Sequence, residues 1–189
     1  MIGLIMVGGA SKRMGKDKGL MLESHGQTWV KKAYYLLQDA SLITFISLNR
    51  SQEPNYLKLF SPDLLFFDDT NLPVMGPLKG LLSAHVAKPQ EDIFVLATDL
   101  PKITLTQIER LISFKETNPE HDAWIYVGPD GPEPLCAIYT SNCLARISAN
   151  PPAKFSLRGI LDLFNPAYLL IKDDELPCFE NFNYPKLEK

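Results

Sequence analysis

The apolar run Ile2–Val7 leads straight into Gly8 and Gly9, and Lys12, Arg13, Lys16 and Lys18 follow. A short apolar run of this kind reads as a buried strand. Glycines at its end let the backbone approach a ligand closely and take φ > 0 without a Cβ clash. Successive backbone N–H groups then point at one anion. A strand feeding a glycine-rich, basic loop is therefore read here as a holder of nucleotide phosphates. Two commoner phosphate signatures do not fit. A P-loop needs G-x-x-x-x-G-K-[ST], whereas the interval from Gly9 to Gly15 is one residue too long and Asp17 follows Lys16. A dinucleotide fingerprint needs G-x-G-x-x-G, which Gly8-Gly9-Ala10 does not supply.

Beyond the loop, short apolar runs alternate with helical patterns. Strands are predicted at Ile2–Val7, Ile43–Leu48, Leu64–Phe67, Ile93–Ala97, Ala123–Val127, Leu135–Tyr139 and Tyr168–Ile171. Helices are predicted at Thr28–Gln38, Tyr56–Phe60, Pro77–Val86, Thr104–Phe114 and Ser156–Phe164. Thr104 with Gln107 forms a capping-box pattern, Thr28 reads as a similar cap, and Pro77 suits a first helical position. This alternation implies right-handed crossovers and an α/β fold: a mostly parallel sheet with helices on both faces, in three layers. Pro129–Pro134 and Asn150–Pro152 read as turns, and the chain after about Asp122 as an antiparallel edge with acceptor-side loops. No linker or repeat divides the 189 residues. One domain is expected, with a nucleotide-binding half over 1–120 and an acceptor-side half over 121–189.

Composition narrows the function. A net charge of −3 argues against a broad nucleic-acid surface, and the local basic cluster suits a small anion. No apolar stretch reaches membrane-spanning length, and the N-terminal residues lack a signal-peptide pattern. Cys136, Cys143 and Cys178 are scattered, without metal or disulfide spacing. His25, His85 and His121 lie far apart, without zinc-ligand spacing. A cytoplasmic protein without membrane or nucleic-acid partners is expected.

In open α/β sheets, ligands bind at the carboxyl ends of the strands. After the first predicted strand comes the Gly8-Gly9 loop, after the second Asn49-Arg50, after the third Asp68-Asp69, and after the fourth Thr98-Asp99-Leu100-Pro101. Asp99, stiffened by Pro101, is placed to hold Mg²⁺, which binds phosphates through one or two carboxylates; the plainer reading is an Asx turn. Lys18 supplies a mobile point charge and Arg13 a bidentate phosphate grip, while a solvated loop face is the alternative, above all for Lys12 and Lys16. Asn49 can both donate and accept, as a base edge or ribose requires, or simply end a strand. Asp69 is read toward base or ribose and Asp68 toward solvent. Gly76 and Gly80 frame a helix start able to meet an anion, although packing alone would explain Gly80. Asn181 and Asn183, two apart, share one side of an extended segment.

Together these residues resemble the bacterial molybdenum cofactor guanylyltransferase family, often called MobA, over nearly the full chain. Met6-Val7-Gly8-Gly9-Ala10-Ser11-Lys12-Arg13-Met14-Gly15-Lys16-Asp17-Lys18 is similar to the family's Leu-Ala-Gly-Gly-x-Ser-x-Arg-Met-Gly-x-Asp-Lys signature. Ser47-Leu48-Asn49-Arg50 resembles its nucleoside-contact strand end. Asp69 through Gly76-Pro77-Leu78-Lys79-Gly80, Thr98-Asp99-Leu100-Pro101, Pro134-Leu135-Cys136-Ala137-Ile138-Tyr139 and Asn181-Phe182-Asn183-Tyr184-Pro185 resemble its remaining motifs, in order. Met6-Val7 stands in place of Leu-Ala, Ala97-Thr98 replaces the usual residues before the metal aspartate, and Tyr184 replaces threonine. Phe155-Ser156-Leu157-Arg158-Gly159 departs from the expected segment before the last helix.

The resemblance implies a nucleotidyltransferase fold and transfer of GMP from GTP to molybdenum-bound molybdopterin, with release of pyrophosphate. It implies nucleotide contacts from Met6, Val7, Gly8, Gly9, Arg13, Gly15, Lys18, Asn49, Asp69 and Asp99, and acceptor contacts from Gly76, Gly80, Asn181 and Asn183. Arg13, Lys18 and Asp99 would be catalytic, with Asp99 holding Mg²⁺ or alternatively Mn²⁺. Transient contact with other cofactor-biosynthesis proteins is also implied. A CTP-dependent enzyme, a relative acting on a sugar phosphate or isoprenoid precursor, and a non-catalytic nucleotide-binding protein are the rival readings.

Overall fold

The computed structural model of the protein describes residues 1–7, 17–151 and 156–182. Its strands are β1 (Ile2–Met6), β2 (Ile43–Leu48), β3 (Leu65–Phe67), β4 (Ile93–Ala97), β5 (Ala123–Gly128), β6 (Gly131–Tyr139) and β7 (Pro166–Leu170). They form one sheet in the order β3-β2-β1-β4-β6-β5-β7. Five residues of β1 and five of β4 are buried throughout, as continuous apolar strands covered on both faces should be. Met6 stands opposite Ser47 on one side and Ala97 on the other, in parallel register. The chain therefore leaves β1, β2 and β4 at one level, and their loops share a rim.

Helices α1 (Trp29–Asp39), α2 (Glu53–Tyr56), α3 (Pro77–Ala87), α4 (Leu105–Thr117), α5 (Ser141–Ala149) and α6 (Leu157–Ile160) complete the layers. Successive residues of a strand face opposite ways. Ile5 accordingly belongs to a core with Val30 and Leu37 of α1 and Ile108 and Leu111 of α4. Leu4 belongs to a second core with Leu78 and Leu82 of α3 and Leu144 of α5. The three-layer, mostly parallel α/β arrangement expected from the sequence is the one observed. No helix among the described residues is long and apolar enough to cross a membrane.

Several local expectations are corrected. The antiparallel strand is not at the edge: β6 runs antiparallel between β4 and β5, while the edge strand β7 is parallel to β5. A tight hairpin forces this, since Gly131 at φ 95° turns the chain back immediately after β5. The predicted turn 129–134 shrinks to Pro129-Asp130, because Gly131–Pro134 is already strand. Helix α5 was not predicted; Thr140 caps it by accepting from the Cys143 amide at 3.2 Å, and Cys143, Leu144 and Ile147 are its buried side. The helix expected at Tyr56–Phe60 lies earlier, as a 3-10 turn Arg50–Gln52 running into α2. Pro54 sits in the first turn of α2, where its missing N–H costs nothing. The Ser156–Phe164 helix divides into α6 and a 3-10 turn Leu161–Leu163. Thr104 and Gln107 do form a capping box. Thr28 occupies the N-cap of α1, but its hydroxyl is buried without a hydrogen-bond partner among the described residues.

Candidate active site

Residues 8–16 and 183–189 lie outside the described residues, and with them Gly8, Gly9, Arg13, Gly15 and Asn183. Of the remaining predicted residues, Met6, Val7, Asn49, Asp69 and Asp99 lie at or just beyond the ends of β1 to β4, and Lys18 reaches Asp99 there. Met6 and Val7 end β1 buried, and their backbone is committed to the sheet: the Met6 carbonyl accepts from the Thr98 amide at 3.1 Å, and the Val7 amide donates to the Ser47 carbonyl at 3.4 Å. Those bonds extend the pairing past the strand ends and bring the chain beside Asp99.

Lys18 and Asp99 meet across this rim, with Nζ 3.8 Å from Oδ2. Burial pushes the Asp99 carboxyl above its usual range, and the Lys18 ammonium opposes the shift. A carboxylate in such surroundings is stabilised by a second cation. The Asp99 carbonyl accepts from the Phe182 amide at 3.0 Å, so the segment carrying Asn181 is docked onto the loop that follows β4. Phe182 also packs edge-on against Trp29 at 5.7 Å, and Lys102 beside it pairs with Glu180 at 2.6 Å.

Asn49 begins the 3-10 turn as its cap. Its Oδ1 accepts from the Ser51 amide at 3.1 Å and from the Ser51 hydroxyl, which leaves Nδ2 as the side chain's donor. Asp69 forms an Asx turn, accepting from the Asn71 amide at 2.9 Å; its own amide donates to Ser83 Oγ at 2.8 Å. Asp68, expected to face solvent, is half-buried. Its amide continues the β3 pairing by donating to Leu48, at 3.2 Å, and its carboxylate lies toward Gly80 of α3. Burial raises its carboxyl, against the pull of Lys79.

Gly80 is needed for packing. A Cβ there would collide with Ser47 Oγ and lie 2.8 Å from Met6 Cε. Gly76 caps α3 at φ 63°, where a glycine is favoured, and a Cβ there would meet open space. Neither glycine lines the large cavity beside this rim. That cavity has a volume of about 1260 Å³, and its walls include Met21, Trp29, Lys102, Glu133, Arg158 and Asn181.

Three residues missed in the sequence belong here. Asp17 accepts from the Gly19 amide, Gln52 Nε2 and the Tyr56 hydroxyl; its place inside the loop signature was the available signal. Glu133 and Arg158 pair at 3.5 Å on the cavity wall. Burial raises the Glu133 carboxyl, Arg158 lowers it, and nearby Asp99 raises it further. Antiparallel β6 explains the proximity. Leu96 faces Cys136, and the same register continued three residues carries Asp99 toward Glu133.

Among the described residues no group of three or more His, Cys, Asp or Glu gathers to hold a metal. Mg²⁺, which takes most of its ligands from water and phosphate, needs one or two carboxylates, and half-buried Asp99, open to the rim, meets that requirement.

A family profile described as the MobA-like NTP transferase domain matches residues 3–167. A Synechocystis "Molybdenum cofactor biosynthesis bifunctional protein" is 31% identical over 192 residues, covering 97% of this chain and 51% of that protein. The chain thus spans about half the length of that relative. The "Probable molybdenum cofactor guanylyltransferase" of Methanothermobacter thermautotrophicus is 28% identical over 189 residues, covering 96% of this chain and 94% of that one. In fold, the chain is similar to the crystal structure of molybdopterin-guanine dinucleotide biosynthesis protein A from Archaeoglobus fulgidus, with a TM-score of 0.74, 22% identity, and coverage of 98% and 93%. With the loop signature, the Lys18–Asp99 rim and this profile in agreement, the chain belongs to the MobA-like NTP transferase family and is a nucleotidyltransferase.

Proposed function

We propose that the protein transfers GMP from GTP to molybdenum-bound molybdopterin, forming the guanine dinucleotide cofactor and pyrophosphate. The observation that carries this reading is the Lys18–Asp99 pair, 3.8 Å apart, in which Lys18 closes the glycine-rich signature and Asp99 follows the end of β4. Two relatives named for molybdenum cofactor biosynthesis or guanylyltransferase activity support the substrate class.

In this reading the acceptor's terminal phosphate attacks the α-phosphorus of GTP, and pyrophosphate leaves. The attacker is already an anion, so no side-chain nucleophile is required. Catalysis is positioning and charge stabilisation. Lys18 and Arg13 offset charge on the triphosphate and leaving group. Asn49 and Asp69 place the guanosine. Asp99 holds a divalent cation, Mg²⁺ or Mn²⁺, in keeping with the family's usual metal dependence. That ion, when bound, neutralises phosphate charge and polarises the reacting phosphoryl group. The acceptor occupies the cavity beside Trp29 and Arg158, with Asn181 and Asn183 on its pterin side and Gly76 and Gly80 at the far end of the rim. The chain works as one domain, residues 1–120 serving the nucleotide and 121–189 the acceptor, in the cytoplasm and in passing contact with other proteins of the pathway.

The test is pyrophosphate release with GTP, CTP, ATP and UTP in turn, each with Mg²⁺ and molybdenum-loaded molybdopterin. Release with GTP alone is expected. Release with CTP would keep the mechanism and change the base, and silence with all four would overturn the acceptor.

A further inference from the structure

We propose that Asp17 is a positioning residue whose carboxylate ties the phosphate-side lysine, Lys18, to the turn that presents Asn49, so that triphosphate and nucleoside are gripped at a fixed separation. This rests on the nucleotide-transfer reading above.

Three donors converge on Asp17 from two parts of the chain. Oδ1 accepts from the Gly19 amide at 3.0 Å and from the Tyr56 hydroxyl at 2.9 Å. Oδ2 accepts from Gln52 Nε2 at 2.7 Å. Gln52 has one orientation that serves the whole network, because its Oε1 accepts from the Asn49 amide at 3.1 Å. A continuous path of hydrogen bonds thus runs from the Asn49 backbone through Gln52 to Asp17 and on to Gly19. Lys18 sits between two fixed residues, and its ammonium reaches Asp99.

The surroundings are built for this contact. Tyr56 is fully buried, so its hydroxyl needs an acceptor inside the protein. Gly19 is buried too, and a Cβ on it would collide with that hydroxyl. The sequence Asp17-Lys18-Gly19 therefore places an acceptor, a cation and a gap for Tyr56 in three consecutive residues. A carboxylate is the side chain that suits the site: it accepts at both oxygens, where an amide would turn one donor against another.

The test is binding, read by calorimetry with Mg²⁺, of three probes: GTP, GMP and pyrophosphate. Asp17→Asn sets an N–H₂ against a donor, and Gln52→Glu sets two carboxylates together. Each is expected to weaken GTP about 10- to 100-fold, the scale of losing a hydrogen bond to a charged group, while GMP and pyrophosphate alone bind as they do to the wild type. The double variant Asp17→Asn/Gln52→Glu restores complementarity, because the new amide donates to the new carboxylate, and it is expected to recover GTP affinity. Tyr56→Phe removes one donor while keeping the buried ring and is expected to lose less. Wild-type GTP affinity in both single variants would overturn the proposal and leave the nucleotide reading intact. So would equal losses for all three probes, which would mark Asp17 as structural only. If the wild type itself bound no GTP, the nucleotide reading would fall, and the proposal with it.

Discussion

Lys18 and Asp99 are opposite charges 81 positions apart in the chain, brought to 3.8 Å by the parallel pairing of β1 with β4. At that distance they attract without the close contact of a fixed hydrogen-bonded pair, so a phosphate and a cation can come between them. Lys18→Ala and Asp99→Asn are each expected to lower kcat/KM for pyrophosphate release by about 10²–10³, as loss of one charge-stabilising group does. The double variant is expected to lose much less than the product of the two, because both residues act on the same charges. Steady-state kinetics on the three variants checks this, and strict multiplicativity would separate their roles.

Gly80 joins α3 to the sheet at a point where a methyl group has no room. Gly80→Ala pushes a Cβ into Ser47 Oγ and against Met6 Cε, 2.8 Å away. Overpacking of this kind costs about 1–3 kcal/mol. Urea denaturation is expected to show that loss, and Ser47→Ala in the same chain is expected to recover part of it by vacating the space.

Glu175 supplies a pH-dependent part of stability. Burial would raise its carboxyl, but the Lys172 amide, Gln107 and Arg110 bind the charged form and hold it below its ordinary value of 4.5. A carboxyl lowered on folding adds stability that is full above that ordinary value, because the unfolded chain takes up the proton first. The contribution disappears as pH falls through the lower, folded value. Glu175→Gln is expected to lose about 2 kcal/mol at pH 7, the scale of hydrogen bonds to a charged group. The gap to the wild type should narrow below pH 4.5. Denaturation curves at pH 7 and in mild acid check both parts.

The sequence made the sheet legible because its strands are covered on both faces and so read as unbroken apolar runs, as at Ile93–Ala97. The strand-end residues Asn49 and Asp99 followed from that alone. The reversal at β6 was hidden because a tight hairpin and a loop share Pro, Asp and Gly; only pairing with β4 decides between them. Helix α5 was masked by Thr140, Ser141 and Asn142, which serve equally as cap and as turn. Asp17 was legible as part of a motif but not as a hub, because Gln52 and Tyr56 lie 35 and 39 residues away and nothing local announces them. Glu133 needed the strand direction before it could be placed near Asp99.

The three thiols differ in reach. Cys136 and Cys143 are fully buried and Cys178 is partly exposed. Burial pushes the Cys143 thiol up to about 12, despite the hydrogen bond with Thr140 that favours its thiolate. Thiolate is the reactive form. At pH 8 a thiol reagent is expected to label Cys178 at once and the other two only on unfolding, which mass spectrometry of the labelled chain reads directly.

Lys32 ties two strips of the rim together. Its Nζ lies 2.7 Å from Glu23 Oε1 and 2.6 Å from the Pro101 carbonyl. Glu23 belongs to the small turn closed by the bridge between Leu22 and Thr28, and Pro101 ends the loop that carries Asp99. One ammonium therefore fixes the loop carrying Asp99 against the segment that leads into Trp29. Lys32→Met keeps the apolar stem and removes both bonds. A loss of roughly 1.5–3 kcal/mol is expected for hydrogen bonds from a charged donor. Because the released loop carries Asp99, kcat for pyrophosphate release should fall while KM for GTP changes little, the Asn49 turn being anchored elsewhere through Gln52. Melting temperature and the kcat–KM split, measured on the same preparation, separate a loosened Asp99 loop from a general loss of folded protein.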